Sequence, residues 1–159
     1  MVLGCAAAVV AAPESALAAT ATTNFTVNAN VLAACSVEAT DLDFGDYTAS
    51  SVSVDDATST VTVTCTDGED YTVALDAGAG SSATVAARAM TSGSDELPYG
   101  LYTSAAYDTV WGDGTASTST IAATGNGLQQ PHTVYGRIQT GQYVPAGAYV
   151  DTILVTVNF

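Results

Sequence analysis

The chain reads as an all-β sandwich domain, and three observations predict it. Apolar and polar residues alternate with a period of two in several short runs, the mark of strands that bury one face. Gly, Asp, Asn, Ser and Pro punctuate those runs at fairly even spacing. Beyond residues 1–19 no helical periodicity and no fixed repeat is found. A length of 159 residues suits one domain with a proper core. Apolar residues make up 48%, but many are alanine, and Thr, Ser, Val and Gly favour strands and turns over helices.

Residues 1–19 read as a secretory leader. Val2 to Ala12 form an apolar run that Pro13 ends, and Ala16-Leu17-Ala18 supplies an A-x-A cleavage pattern. No Lys or Arg precedes the run, which points to a truncated start. The run is too short to span a bilayer. Val2-Leu3-Gly4-Cys5 has lipobox order, yet nothing apolar precedes it, so lipidation is not expected. Removal of the leader takes Cys5 with it and leaves Cys35 and Cys65 as an even pair. In an oxidising compartment these bridge, closing a loop of about 31 residues worth on the order of 3.5 kcal/mol in the chain-entropy model.

Residues 24–34 alternate: Phe25, Val27, Ala29 and Val31 fall on one face, Thr26, Asn28 and Asn30 on the other. After Cys35 the pattern predicts a strand from Ser36 to Phe44, ended by Gly45-Asp46. Ser59–Cys65 is a clean alternation with Val61, Val63 and Cys65 inward. A turn at Thr66–Asp70 and a strand at Tyr71–Leu75 suggest a hairpin with Ser59–Cys65. A Gly/Ser/Ala loop covers residues 77–83, Arg88-Ala89-Met90 precedes a turn at Ser92–Ser94, and Leu97–Tyr102 is a strand. Residues 112–127 read as a long exposed connection with a short strand inside. Val134–Ile138 is a strand, and Tyr149–Phe159 is the longest of all, with Tyr149, Ile153, Val155, Val157 and Phe159 on one face. Six or seven strands follow Cys35, and the chain stops inside the last. Its apolar face calls for a neighbour that nothing downstream supplies.

Charge excludes several functions. Lys and Arg total 2, Arg88 and Arg137, against 16 acids, for a net charge of -14. Such a surface repels phosphate backbones and anionic lipid, so neither nucleic-acid binding nor membrane insertion is expected. Its plain consequence is solubility. His132 has no triad around it, no G-x-S-x-G occurs, Cys65 is expected to be oxidised, and no two carboxylates are placed across a cleft. No catalytic residue and no enzyme is expected. Two cysteines and one histidine do not make a zinc site. Asp41, Asp43 and Asp46, and the Asp67–Asp70 run, lack calcium-loop spacing and read as turns. No metal and no cofactor is expected. Trp111, Tyr99 and Tyr102 read first as core or loop anchors and second as a sugar-binding face.

The order and spacing of several motifs resemble the spore coat protein U family, which includes the pilins of archaic chaperone–usher pili. They are the alternating segment before Cys35-Ser36-Val37, then Leu42-Asp43-Phe44-Gly45-Asp46-Tyr47, Val63-Thr64-Cys65-Thr66 and Arg88-Ala89-Met90. Tyr99-Gly100-Leu101-Tyr102, Trp111-Gly112-Asp113-Gly114, Val134-Tyr135-Gly136-Arg137-Ile138 and Pro145–Thr152 complete the match, which runs from Phe25 to Phe159. The resemblance implies an incomplete immunoglobulin-like sandwich lacking its seventh strand. A periplasmic chaperone lends a strand to the open groove, and at an outer-membrane usher the N-terminal strand of the next subunit replaces it. It implies Phe25, Val27, Ala29 and Val31 as donor side chains, with Ile153, Val155 and Val157 on one wall of the acceptor groove. It also implies the Cys35–Cys65 bridge across the first two strands.

The expected organisation is then a leader at 1–19, a donor segment at 20–34 and a pilin domain at 35–159. The expected function is a structural pilin that polymerises head-to-tail with identical or related subunits into a surface fibre for adhesion and biofilm formation. A secreted coat or matrix protein of the same fold is the first alternative, and a carbohydrate-binding module using the aromatics at 99–111 is the second.

Overall fold

The computed structural model describes residues 18–159; the expected leader through Leu17, with Cys5 and the lipobox-like run, lies outside the described residues. Residues 18–31 and residues Leu32–Phe159 belong to separate units. In the first, residues 18–31 carry no strand and every side chain is exposed. Phe25, Val27 and Val31 are 86%, 80% and 81% exposed. Alternation tells which face of a strand would be buried; the strand itself exists only where a ladder partner is present.

The second unit is built of eight strands and, among the described residues, no helix. They are β1 Cys35–Ala39, β2 Asp55–Cys65, β3 Asp70–Leu75, β4 Arg88–Ser92, β5 Asp95–Tyr102, β6 Ile121–Thr124, β7 Gln130–Ile138 and β8 Val155–Asn158. The order β1-β2-β7-β5-β4 makes a five-stranded sheet and β6-β3-β8 a three-stranded one. All strand pairs are antiparallel. One core lies between the sheets. Val61, Val63 and Cys65 of β2, Leu101 of β5 and Val134 of β7 meet Tyr71, Val73 and Leu75 of β3 there, with Trp111 among them. The period of two read from Val61–Cys65 and Tyr71–Leu75 is the period of burial.

Cys35 stands directly opposite Cys65 in the β1–β2 register. Their sulfurs are bonded, with Cα atoms 4.1 Å apart. The ladder continues one step upstream, where the Thr66 N–H donates to the Ala34 carbonyl at 2.9 Å.

Three expectations require correction. Ser59–Cys65 and Tyr71–Leu75 do not form a hairpin, because β2 already has β1 on one side and β7 on the other. The turn at Thr66–Glu69 instead carries the chain across the core to the smaller sheet. The first strand ends at Ala39, but Leu42 and Phe44 keep the inward alternation without a ladder partner. The last strand is short for a different reason. Val150 pairs with Thr91 of β4 in the larger sheet, while Leu154 and β8 pair with β3 in the smaller one. Residues 149–159 therefore switch sheets part-way.

Leu42 and Phe44 cross over Gly136 of β7. A Cβ there would stand 2.8 Å from Leu42 Cδ1 and 2.8 Å from Phe44 Cζ, so both side chains would have to shift to admit it. Gly136→Ala is expected to lower stability by about 1–3 kcal/mol, read as an earlier urea midpoint.

A second contact ties the sheets together. Tyr71 Oη and His132 Nε2 are 2.9 Å apart, joining β3 to β7. Burial holds the His132 pKa below its usual value and raises that of Tyr71, which suits a phenol donating to a neutral imidazole. With the folded pKa depressed, the unfolded chain binds the proton more readily at mildly acidic pH. The stability contributed by neutral His132 is full above the unfolded value near 6.5 and declines as pH falls below it. Between about pH 7.5 and about pH 5, wild type is expected to lose more stability than His132→Asn, measured as the difference in urea midpoints.

Candidate functional site

An open groove of 580 Å³ runs between the two sheets along the side where β1 and β8 lie. One bank is Ala39–Phe44 and the other is Tyr149–Val155. Its floor reaches the buried core at Val61, Leu75, Leu101 and Val134. Core side chains that would ordinarily lie under a strand thus border an open space. Val37 of β1, on the same alternation as Cys35 and Ala39, is 38% exposed for a residue whose partner across the ladder, Val63, is fully buried.

The edge above this groove has unpaired peptide groups. β8 has a single neighbour, β3. Leu75 sends its N–H to the Gly112 carbonyl, away from β8, whereas Asp76 donates to the Leu154 carbonyl, each at 3.1 Å. In an antiparallel ladder successive residues point their peptide groups to alternate sides. Leu154, Thr156 and Asn158 therefore face β3, and Ile153, Val155 and Val157 turn their N–H and C=O groups to the open edge. The side chains of the same three residues pack against the core, half-buried. Ile153 and Val155 line the groove; Val157 stands opposite Val73, beyond its lining.

A polar lock closes the end near Asp151. The Phe44 ring meets the Tyr99 ring edge-on at 6.1 Å. Tyr99 Oη donates to Asp151 Oδ2 at 2.7 Å, and Asp151 Oδ1 accepts from the Ala79 and Thr152 amides at 2.7 and 2.8 Å. Burial first, then the Asp151 carboxylate, pushes the Tyr99 phenol far above its usual pKa, so it stays a donor. Asp76 Oδ1 accepts from the amides of Gly78 and Leu154, each at 3.0 Å, and so caps the strand where main-chain pairing with β3 stops.

Beneath lies Arg88, 1% exposed. Its Nε donates to the Asp76 carbonyl at 2.8 Å, and Nη2 to the Leu75 and Trp111 carbonyls at 3.3 and 2.9 Å. Burial lowers its pKa, opposed by Tyr99, Asp76, Asp151 and Asp113. Trp111, fully enclosed, donates from Nε1 to the Val73 carbonyl at 3.0 Å. Its indole is a core element with no face for a sugar, and Tyr99 belongs to the groove wall. The donor residues named from sequence, Phe25, Val27, Ala29 and Val31, lie on the exposed N-terminal unit. Sequence reasoning missed Leu42, Phe44, Tyr99 and Asp151 as groove residues. The inward alternation of Leu42 and Phe44 after Ala39 was the available signal for the first two.

A profile of the Spore Coat Protein U domain matches residues 21–156. The chain belongs to that family. It is 37% identical to Protein U of Myxococcus xanthus over 169 aligned residues, covering 97% of this chain and 93% of that protein. A fold match is a chain in the crystal structure of the CsuC–CsuE chaperone–tip adhesion subunit pre-assembly complex from archaic chaperone–usher Csu pili of Acinetobacter baumannii. The TM-score is 0.60 and the identity 29%, over 81% of this chain and 40% of that chain. The match thus covers well under half of the solved chain.

Arg88→Met would leave the Leu75, Asp76 and Trp111 carbonyls without their donor. It is expected to cost about 3 kcal/mol or more in urea unfolding, with Arg88→Lys recovering only part.

Proposed function

We propose that the chain is a pilin-type subunit that polymerises by donor-strand exchange, exported through the periplasm and assembled into a chaperone–usher surface fibre. The observation that carries this reading is the groove. It is lined by core side chains and bordered by Ile153 and the edge of β8, where the peptide groups of Ile153, Val155 and Val157 have no strand beside them. Residues 24–34 have the complementary character, an alternating apolar and polar sequence whose apolar side chains are exposed. Seating Phe25, Val27 and Val31 in a groove yields a gross gain of about 5–9 kcal/mol, to which Ala29 and main-chain bonds add. A donor that completes a core leaves slowly, which suits a fibre. Because donor and groove are different surfaces of one chain, the contact is head-to-tail and propagates as an open filament.

The partners on this reading are identical or related subunits, a periplasmic chaperone that occupies the groove first, and an outer-membrane usher. The fold likeness to a chain from a chaperone–subunit complex supports the first two. Adhesion and biofilm formation would be the fibre's work at the cell surface. No helix among the described residues is long and apolar enough to cross a membrane. The 37% identity to Protein U over 93% of its length favours a second reading, a secreted coat or matrix protein of the same fold. Deleting the usher separates the two: a fibre disappears, whereas a coat protein is still deposited.

Purified polymers are expected to run as a ladder of multimers that collapses to monomer only on boiling. A subunit lacking residues 20–33 should still bind its chaperone but fail to be incorporated behind another subunit. Normal-length fibres from that variant would sink the proposal. Val27→Asp should shorten polymers by placing an unpaired charge against an apolar groove, and unchanged polymers would count against the assigned face.

A further inference from the structure

The banks of the groove carry charge as well as apolar surface. Asp41 and Asp43 are exposed on one bank, alternating with the inward Leu42 and Phe44, and half-buried Asp151 stands on the other. No Lys or Arg lines the groove. The chain's two cations are both engaged elsewhere. Arg88 is enclosed and bonded to three main-chain carbonyls. Arg137 is held by both oxygens of Asp56 at 2.7 Å and stacks 3.5 Å over the Tyr107 ring. Arg88, packed beneath, offsets part of the Asp151 charge, whereas Asp41 and Asp43 are paired with no cation of the described residues.

The segment ahead of β1 has the matching property. Residues 15–37 contain no charged side chain. By contrast β1 carries Glu38, β2 Asp55 and Asp56, β3 Asp70, and β5 Asp95 and Glu96.

We propose that Asp41 and Asp43 are specificity-determining residues that select the strand entering the groove by charge. They admit the uncharged strand 24–34 of a second copy and reject strands that carry acidic side chains. This rests on the strand-accepting reading above. A strand laid between the banks directs Phe25, Val27, Ala29 and Val31 to the core and Thr26, Asn28 and Asn30 outward, level with the rim. Opposed side chains on neighbouring strands stand about 5 Å apart, within the screening length of about 10 Å at 0.1 M salt, so a like charge there is felt. Asparagine and threonine meet the rim without repulsion. Among unassembled copies, β1, β2, β3 and β5 are the acid-bearing wrong partners, and repulsion discriminates against these four without strengthening the right one.

The test uses freshly refolded full chain and a fluorescent peptide of residues 22–34, with the peptide variants Asn28→Asp and Asn28→Lys. At low salt the aspartate peptide is expected to bind about tenfold more weakly than the lysine peptide. The ratio should shrink to within about twofold in roughly 1 M sodium chloride, and likewise in the Asp41→Asn/Asp43→Asn variant. Because a net charge of -14 by itself favours the lysine peptide at low salt, a ratio unchanged in the Asp41→Asn/Asp43→Asn variant also overturns the assignment to these two residues. Equal binding of the aspartate and lysine peptides at low salt, or a ratio insensitive to salt, overturns charge selection while leaving strand acceptance standing. Failure of the unsubstituted peptide to bind overturns strand acceptance and this inference with it.

Discussion

The unpaired edge of β8 is the constraint on which the rest of the molecule depends. Peptide N–H and C=O groups must be satisfied, and a sheet edge that borders a core cannot remain both dry and unpaired. In the larger sheet β2 and β7 are paired on both sides, and β1, itself an edge strand, is tied to β2 by a disulfide. The smaller sheet ends at β8 with Ile153, Val155 and Val157 addressing an open space. The same residues turn their side chains to the core, so one added strand would meet both needs at once.

The polar residues around the groove keep this vacancy in shape. Asp76 ends the β3–β8 ladder by accepting the Leu154 amide, and Asp151 holds the approach to β8 through Tyr99 and Ala79. Arg88 gathers three carbonyls from segments that would otherwise leave them unsatisfied in the interior. Buried polar groups of this kind contribute little net stability when satisfied and cost much when broken. Here they define where strand pairing stops, which hydrophobic packing alone does not specify.

Much of this was legible in sequence because burial follows a period of two. The inward positions of β2 and β3, the Cys35–Cys65 bridge and the inward face of Ile153, Val155 and Val157 were all readable. Which strands pair was not, because alternation records faces and says nothing of edges. The hairpin expected between Ser59–Cys65 and Tyr71–Leu75 failed for that reason, since both edges of β2 were already taken by strands distant in sequence. The sheet switch between Val150 and Leu154 was hidden in the same way, within an unbroken alternation. Trp111, considered as a sugar platform, is a core residue because its loop folds inward and its N–H finds the Val73 carbonyl. The Tyr99–Asp151 pair joins residues 52 positions apart, beyond the reach of any local pattern.

The disulfide has a mechanical consequence. It lies at the first residue of β1, immediately after the segment that would reach into a neighbouring subunit. Tension applied through that segment arrives at Ala34 and Cys35. Without a covalent link it would be borne by the hydrogen bonds of β1, a strand of five residues at the edge of its sheet. With the link it passes at once to Cys65 and along β2, an 11-residue strand paired on both sides. The load path bypasses β1, so in a fibre of the proposed kind a pull would not peel the strand nearest the point of attachment.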